Sequence, residues 1–328
     1  MWRFEPILKT TIWGGRRIAP FKGLRQGAEL VGESWELSGV EGCESVVADG
    51  PEAGLSLSGL LHKFGPAVLG ERNYRKFGDR FPLLVKFIDA EEDLSVQVHP
   101  DDELAVKLGQ INGKSEMWYI LEAGRDSRLA LGFNRSLTAA EFEELCASDR
   151  IEEALNYVHP HPDDVYLVPA GRIHAIGAKV MLVEIQQTSD ASFRIYDYHR
   201  TDADGREREL HIQQARLAVN LDDTDCEPVP FVAHRDIPIN VVRRPYFTTN
   251  IMVLEDEVMR DYAELDSFVA LIVAAGSGRL ICGADAVANE PTVMDVHQGE
   301  TILVSASARG LTIIPGESGM KLLETYVG

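Results

Sequence analysis

The run from Asp93 to Gly124, DLSVQVHPDDELAVKLGQINGKSEMWYILEAG, constrains the fold more than any other part of the chain. In an extended strand successive side chains alternate faces, so Gln97 and His99 point one way while Val96 and Val98 point the other. Such a strand keeps one face in a core and turns the other toward a site. Glu116 opens a second extended run, Met117 to Leu121, whose aromatic and branched residues favour a strand. A short helix over Asp101 to Leu108 joins the two. Gln97, His99 and Glu116 then meet across a sheet, and one more nitrogen ligand completes a divalent-metal site with room for solvent or substrate.

A chain of 328 residues, 45% hydrophobic, is long enough for two domains or one large core and is not disordered on a large scale. Its 52 acidic and 32 basic residues give a formal charge of -20, which opposes binding to nucleic acid and to anionic membranes. An anionic substrate therefore needs a local basic pocket. Cys43, Cys146, Cys226 and Cys282 stand far apart with no CxxC pair, so neither a thiolate zinc site nor a disulfide framework is expected. The N-terminal MWRFEPILKTTIWGG lacks the layout of a signal peptide, and no apolar run approaches the ~20 residues that span a bilayer. A cytoplasmic location is the expectation.

The opening residues read as β: Phe4 to Trp13 extended, Gly14-Gly15 as a turn, and Glu33 to Leu37 as a short strand. A helical patch over Ser58 to Leu69 follows, then an apolar strand from Phe81 to Ile88. Lys86 interrupts that strand, either at an exposed edge or turned inward toward an anion. A long helix is expected from Thr138 to Val158. Thr138 and Glu141 have capping-box spacing, and Phe142, Leu145, Ile151, Leu155 and Val158 form its buried side.

In DDVYLVPAGRIHAIG the strand Val165 to Val168 leads through a Pro-Ala-Gly turn to His174 on a returning strand. A lone histidine there is usually structural, but beside Gln97, His99 and Glu116 it becomes the fourth ligand. His159 and His161 lie among prolines and aspartates in a solvated loop and are left out of the site. Between Met181 and Arg200, Glu184, Asp190, Arg194 and Arg200 crowd one strand-turn-strand segment. Either it is an ion-paired hairpin at an edge, or it is built around a polar ligand, and the apolar neighbours favour the second.

The blocks GESWELSG, PLLVKFIDAEEDLSVQVHPDDE, GKSEMWYIL, VPAGRIHAIG, EIQQTSDASFRIYDYHR and GREREL occur in one order over about two-thirds of the chain. Together they resemble the type I mannose-6-phosphate isomerases, in their short bacterial form. The resemblance implies a mainly β protein with a cupin (jelly-roll) catalytic barrel, helical excursions and a second, smaller, degenerate cupin-like barrel. It implies a Zn²⁺-dependent aldose-ketose isomerase, one ion per chain, that interconverts mannose 6-phosphate and fructose 6-phosphate through a cis-enediol. The metal ligands become Gln97, His99, Glu116 and His174. Lys86 and Ser95 would receive the substrate phosphate, and Lys114, Glu184, Asp190 and Arg194 would line the reacting end of the sugar. Trp13, Trp35 and Glu36 match recurrent family positions as packing around the barrel.

Two departures stand out. Longer members place a His-Lys-Pro-Glu run at the glutamate ligand, whereas this chain has Gly113-Lys114-Ser115-Glu116, so no histidine transfers a proton there. Six residues after Arg194, where those members have a lysine, stands Arg200. An arginine is always charged and acts only electrostatically. The proton carrier is then one of Lys114, Glu184 and Asp190.

After the helix His211 to Asn220, DDTDCEPVP reads as a linker, and short strands recur from Tyr246 onward. The domains are placed at 1-235, holding the metal, and 236-328, holding none and serving packing or homo-oligomer contacts. An iron-dependent oxygenase and a non-catalytic sugar-phosphate sensor remain as alternatives. The cations around the site argue against the first, and the number of titratable groups against the second.

Overall fold

The computed structural model describes residues 1-328 apart from Gln26, Ala28, Asp202 and Ala203. It is mainly β, as expected, and its strands form three antiparallel sheets. A six-stranded sheet runs in the order Ile7–Gly15, Val31–Leu37, Leu83–Ala90, Val180–Gln187, Glu116–Ala123, Val165–Val168. A five-stranded sheet runs Phe193–Tyr196, Val96–Val98, His174–Ile176, Leu129–Phe133, Leu155–Val158. The two face each other across Trp13, Ile88, Trp118, Leu131, Tyr166, Ile176 and Leu182, which form one buried cluster. Strand alternation explains the arrangement. On the five-stranded sheet Val96, Val98, Ala130 and Ala175 turn outward to pack on Phe142, Leu145 and Ala215 from the covering helices Ala139–Ala147 and Ile212–Ala218. Gln97 and His99 turn inward between the sheets.

The opposite face of the six-stranded sheet, with Val85, Phe87, Met117, Tyr119 and Ile185, is equally apolar and packs on Ile251, Ala270, Ile272 and Leu323 of the C-terminal sheet. The middle sheet is therefore buried on both sides, which is why every residue of Leu83–Ala90 and Val180–Gln187 is buried, the polar ones included. The C-terminal sheet is not built from the C-terminal residues alone. Strand Trp2–Arg3 pairs with Thr301–Val304, so the start of the chain crosses the division at residue 235. Lys22 strengthens the same junction: its Nζ lies 2.8 Å from the Glu36 carboxylate and donates to the carbonyl of Gly299.

Three local expectations need correction. Gly14 and Gly15 continue the first long strand instead of turning. A Cβ at Gly14 would meet Gly32 N at 2.5 Å, and one at Gly15 would meet the Asp89 carboxylate, so close approach of neighbours is what requires glycine. The segment from Thr138 is not one helix. It holds helix Ala139–Ala147 behind the expected capping box, a left-handed Asp149 (φ 56°), a 3₁₀ turn Ile151–Ala154 and a strand Leu155–Val158. The Ser58 to Leu69 patch is likewise broken into Leu57–Phe64 and Pro66–Leu69 by Gly65 at φ 51°.

In the C-terminal sheet the carboxylate of Glu324 is wholly buried and accepts from Arg260 Nε and Nη2 at 2.9 Å each, Tyr262 Oη at 2.6 Å and Asn250 Nδ2 at 2.7 Å. Arg260→Met removes the balancing charge and is expected to destabilise the protein by about 3-5 kcal/mol, read by urea denaturation.

Candidate active site

His174 is the cross-strand partner of Gln97, and Arg194 pairs with Gln97 from the other side, so His174, Gln97 and Arg194 form a row over three neighbouring strands. From the opposite sheet, Glu184 stands between Lys86 and Trp118, and Gln186 faces Glu116. The two sheets thus bring together residues up to about a hundred positions apart. His99 Nε2 lies 3.4 Å from Glu116 Oε2, and His174 Nε2 lies 3.6 Å from Glu116 Oε1. The ligand atoms of this buried trio all lie within 4.8 Å of one another.

The proton arrangement follows from the surroundings. His99 Nδ1 is 2.9 Å from the carbonyl of Ala191, and His174 Nδ1 is 2.9 Å from that of Arg172. A carbonyl only accepts, so each Nδ1 carries the hydrogen and each Nε2 presents a lone pair. Neither Nε2, nor Glu116 Oε2, has a hydrogen-bond partner. The Lys114 ammonium, 3.3 Å from Glu116 Oε2, offsets only the carboxylate, and the two imidazole lone pairs that face it have no donor among the described residues, so the donor set fits a divalent metal of the kind that nitrogen and carboxylate ligands hold. Burial pushes the His174 imidazole down to about 4 and His99 well below its usual value, which keeps both neutral and ready to ligate. Burial, reinforced by Glu184, raises the Glu116 carboxyl to about 7 against the pull of Lys114 and Lys86. Because the metal needs the carboxylate, its affinity is expected to fall as pH drops through 7, with a proton released on binding below that pH. Calorimetric titration in buffers of different ionisation enthalpy checks it.

Trp118, two residues beyond Glu116 on the same face, donates its Nε1 hydrogen to Glu116 Oε1 at 3.1 Å and Glu184 Oε2 at 3.2 Å. It was not foreseen as a site residue, although the i, i+2 spacing carries the signal. Trp118→Phe keeps the ring and removes both bonds. Metal affinity is expected to weaken about 10- to 100-fold, measured by competition with a chromophoric chelator.

Beside the trio opens a cavity of about 200 Å³ lined by Lys86, Ser95, Gln97, Lys114, Glu184, Asp190 and Arg194, all expected, and by Glu33, Ser192 and Arg208, which were not. Trp13 and Trp35 line it too, so they form its wall and do more than pack around the sheets. Lys86 is turned inward, with Nζ 3.0 Å from Glu184 Oε1, 3.8 Å from Glu33 Oε2 and 5.2 Å from the centre of the Trp35 ring. Burial opposes its charge, but Glu184 and Glu33 outweigh that and raise its pKa. Glu184 is the mirror case: burial works against its ionisation, yet Lys86 and Lys114 hold it below the usual carboxylate range. Lys114 Nζ is 3.3 Å from Glu116 Oε2.

Other candidates lie elsewhere. Arg200 pairs with Asp197 and donates to the carbonyl of Asp93 at 2.5 Å, and it is not among the residues lining the cavity. Glu36 serves the junction with the C-terminal sheet. His161 is exposed and His159 Nδ1 meets the carbonyl of Ser127. All four cysteines are free. A larger hollow of about 570 Å³ around Gly39, Arg80 and Asn112 shares Asp190 with the cavity but brings no histidine to it.

Residues 1-128 match the model of the phosphomannose isomerase type I catalytic domain. The mannose-6-phosphate isomerase ManA of Bacillus subtilis is 34% identical over 85% of this chain and 87% of its own length. The probable mannose-6-phosphate isomerase GmuF of the same organism is 33% identical over 90% and 93%. A crystal structure of the mannose 6-phosphate isomerase from Bacillus subtilis superimposes with a TM-score of 0.81 at 28% identity, over 99% of this chain and 98% of that one. The relatives extend over both halves, and the ligand trio sits where the matched domain and the following strands meet: the chain belongs to the type I mannose-6-phosphate isomerase family.

Proposed function

We propose that the protein interconverts mannose 6-phosphate and fructose 6-phosphate through a cis-enediol, with one Zn²⁺ per chain held by Gln97, His99, Glu116 and His174. The observation that carries this reading is the pair of buried, unpartnered Nε2 atoms of His99 and His174 facing the Glu116 carboxylate, beside a cavity lined by cations and carboxylates. When bound, the ion supplies Lewis-acid polarisation of the carbonyl whose neighbouring C–H must ionise.

The remaining chemistry belongs to side chains of the chain. Glu184 is ionised and fixed from two sides, by Lys86 Nζ and Trp118 Nε1, so its oxygens are placed to take a proton with little reorganisation. Asp190 and Lys114 line the same cavity and are the other two candidates. Arg194 contributes positive charge against the developing enediolate. Trp13, Trp35, Ile88, Leu94 and Ile176 form the apolar part of the wall and limit water around the reacting carbons. So charged a lining suits a phosphosugar better than the apolar substrate of an oxygenase. The same reading places the enzyme in the cytoplasm; among the described residues no helix is long and apolar enough to cross a membrane.

Isomerisation in D₂O tests the proton route. Deuterium from solvent is expected in product carbon-bound positions after repeated turnover. Complete retention of protium would point to direct hydride transfer and contradict the enediol.

A further inference from the structure

Lys114 reaches the cavity from a three-residue segment, Gly113-Lys114-Ser115, whose backbone is tied at each residue to a different part of the chain. The Gly113 amide donates to Asp102 Oδ1 at 2.8 Å, the Lys114 amide to the Pro100 carbonyl at 2.9 Å, and the Ser115 amide to Gln187 Oε1 at 3.0 Å. Gln187 is buried at the end of the strand that carries Glu184, and the other half of its side-chain amide is also used: Nε2 donates to Asp102 Oδ1 at 2.9 Å. A backbone N–H only donates and a carboxylate only accepts, so this side chain is fixed one way round. Its own backbone amide donates to the Ser115 carbonyl at 3.1 Å, which closes the clasp. Asp102 opens the helix Asp102–Lys107 just beyond His99 and Pro100. From the C-terminal sheet, Tyr246 brings its phenol to the same carboxylate; burial first, and then Asp102, raise its pKa.

From this clasp we infer that Gln187, anchored by Asp102, is a positioning residue for the reaction: it fixes the backbone of Lys114 so that the ammonium stays beside Glu116 at the reacting end of the cavity. Lys114 Nζ lies 3.3 Å from Glu116 Oε2 and is buried, yet it stands on a flexible four-carbon stem, so its place depends on a fixed backbone. The sequence departures at this segment fit the same role. Longer members have a proline where Ser115 stands, and a proline has no N–H to give to Gln187 Oε1. They have a histidine where Gly113 stands, whereas here a Cβ would lie 2.5 Å from Asp101 C and 2.8 Å from the Pro100 oxygen. Gly113 and Ser115 are thus what let the segment close onto the Pro100–Asp102 turn and onto Gln187. The side chain of Ser115 adds a third tie, its Oγ accepting from the Ala170 amide at 3.2 Å in the turn that leads to His174.

The inference rests on the isomerase reading above, and two readouts separate them. The first is kcat, KM for mannose 6-phosphate and metal content in the presence of Zn²⁺, for wild type, Gln187→Met, Asp102→Ala, Asp102→Asn, Lys114→Met and the double variant of Lys114→Met with Gln187→Met, each checked by thermal melting. Gln187→Met and Asp102→Ala are expected to lower kcat about 10- to 100-fold, the scale of a misplaced group, with KM within about threefold and the metal retained. Asp102→Asn keeps an acceptor oxygen for both donors and should hold kcat within about threefold of wild type. Once Lys114 is replaced, Gln187 has nothing left to position, so the double variant should match Lys114→Met alone, whereas a merely structural role would add its own loss. If Gln187→Met does not fold, Asp102→Ala takes its place in both forms. The second readout needs no turnover: acetylation of Lys114 by acetic anhydride, followed by peptide mass mapping, should be about 10-fold faster in Gln187→Met and Asp102→Ala, because the amine leaves its buried place. Full kcat in these two variants, a further loss in the double variant, or unchanged acetylation overturns the inference. Absence of wild-type turnover together with faster acetylation in the variants would instead overturn the isomerase reading and leave the positioning of Lys114 standing.

Discussion

Glu116→Gln is expected to abolish tight metal binding and to lower turnover about 10³-fold or more, the consequence of losing several kcal/mol of charge stabilisation at the enediolate. The argument is electrostatic. In the native site the Glu116 carboxylate is the one negative charge between two neutral imidazole nitrogens, 3.4 and 3.6 Å away. Glutamine keeps the shape and removes the charge that a divalent cation requires. It also leaves Lys114, 3.3 Å from Glu116 Oε2, without its counter-charge, so a cation entering the site meets repulsion in place of attraction. Metal analysis of the purified variant should fall from near one ion per chain to near none. A variant with full metal content and normal turnover would show that the trio is structural.

Glu184→Gln is expected to lower kcat about 10²-fold or more with metal content retained, because the carboxylate is buried, ionised and held by two donors. Its effect is separable from a binding defect, since KM for the phosphosugar should change much less than kcat. Lys114→Met and Asp190→Asn probe the other two candidates under the same conditions. Near-normal kcat in all three variants would contradict proton transfer by this cavity.

The cluster of His99, Glu116 and His174 that could hold a metal was legible in part because strand alternation is a short-range rule. Gln97 and His99 share a face wherever that segment is extended, and Glu116 heads a run whose aromatic and branched residues favour a strand. The mainly β character was legible for the same reason. What escaped depended on contacts between distant segments. Glu33 and Arg208 reach the cavity only because their segments pack beside Lys86 and Arg194, and nothing in their local sequence says so. Glu184 and Arg194 read as one hairpin, yet their strands belong to opposite sheets, with Ser189, Asp190 and Ala191 rounding the corner between them. Gly14 and Gly15 looked like a turn because glycine pairs usually are one, whereas here backbone and carboxylate neighbours crowd in too closely for any side chain. The long helix after Thr138 failed at Asp149, where a left-handed residue ends it and the β-prone Leu155–Val158 joins the sheet.

The central claim, metal-dependent isomerisation of a phosphosugar, is tested most directly by a coupled assay for fructose 6-phosphate formed from mannose 6-phosphate. The protein is first stripped with a chelator and then assayed with and without added Zn²⁺. Turnover that is lost on stripping and restored by Zn²⁺ is the predicted result; equal turnover with and without the ion, or no turnover with the ion bound, would contradict it.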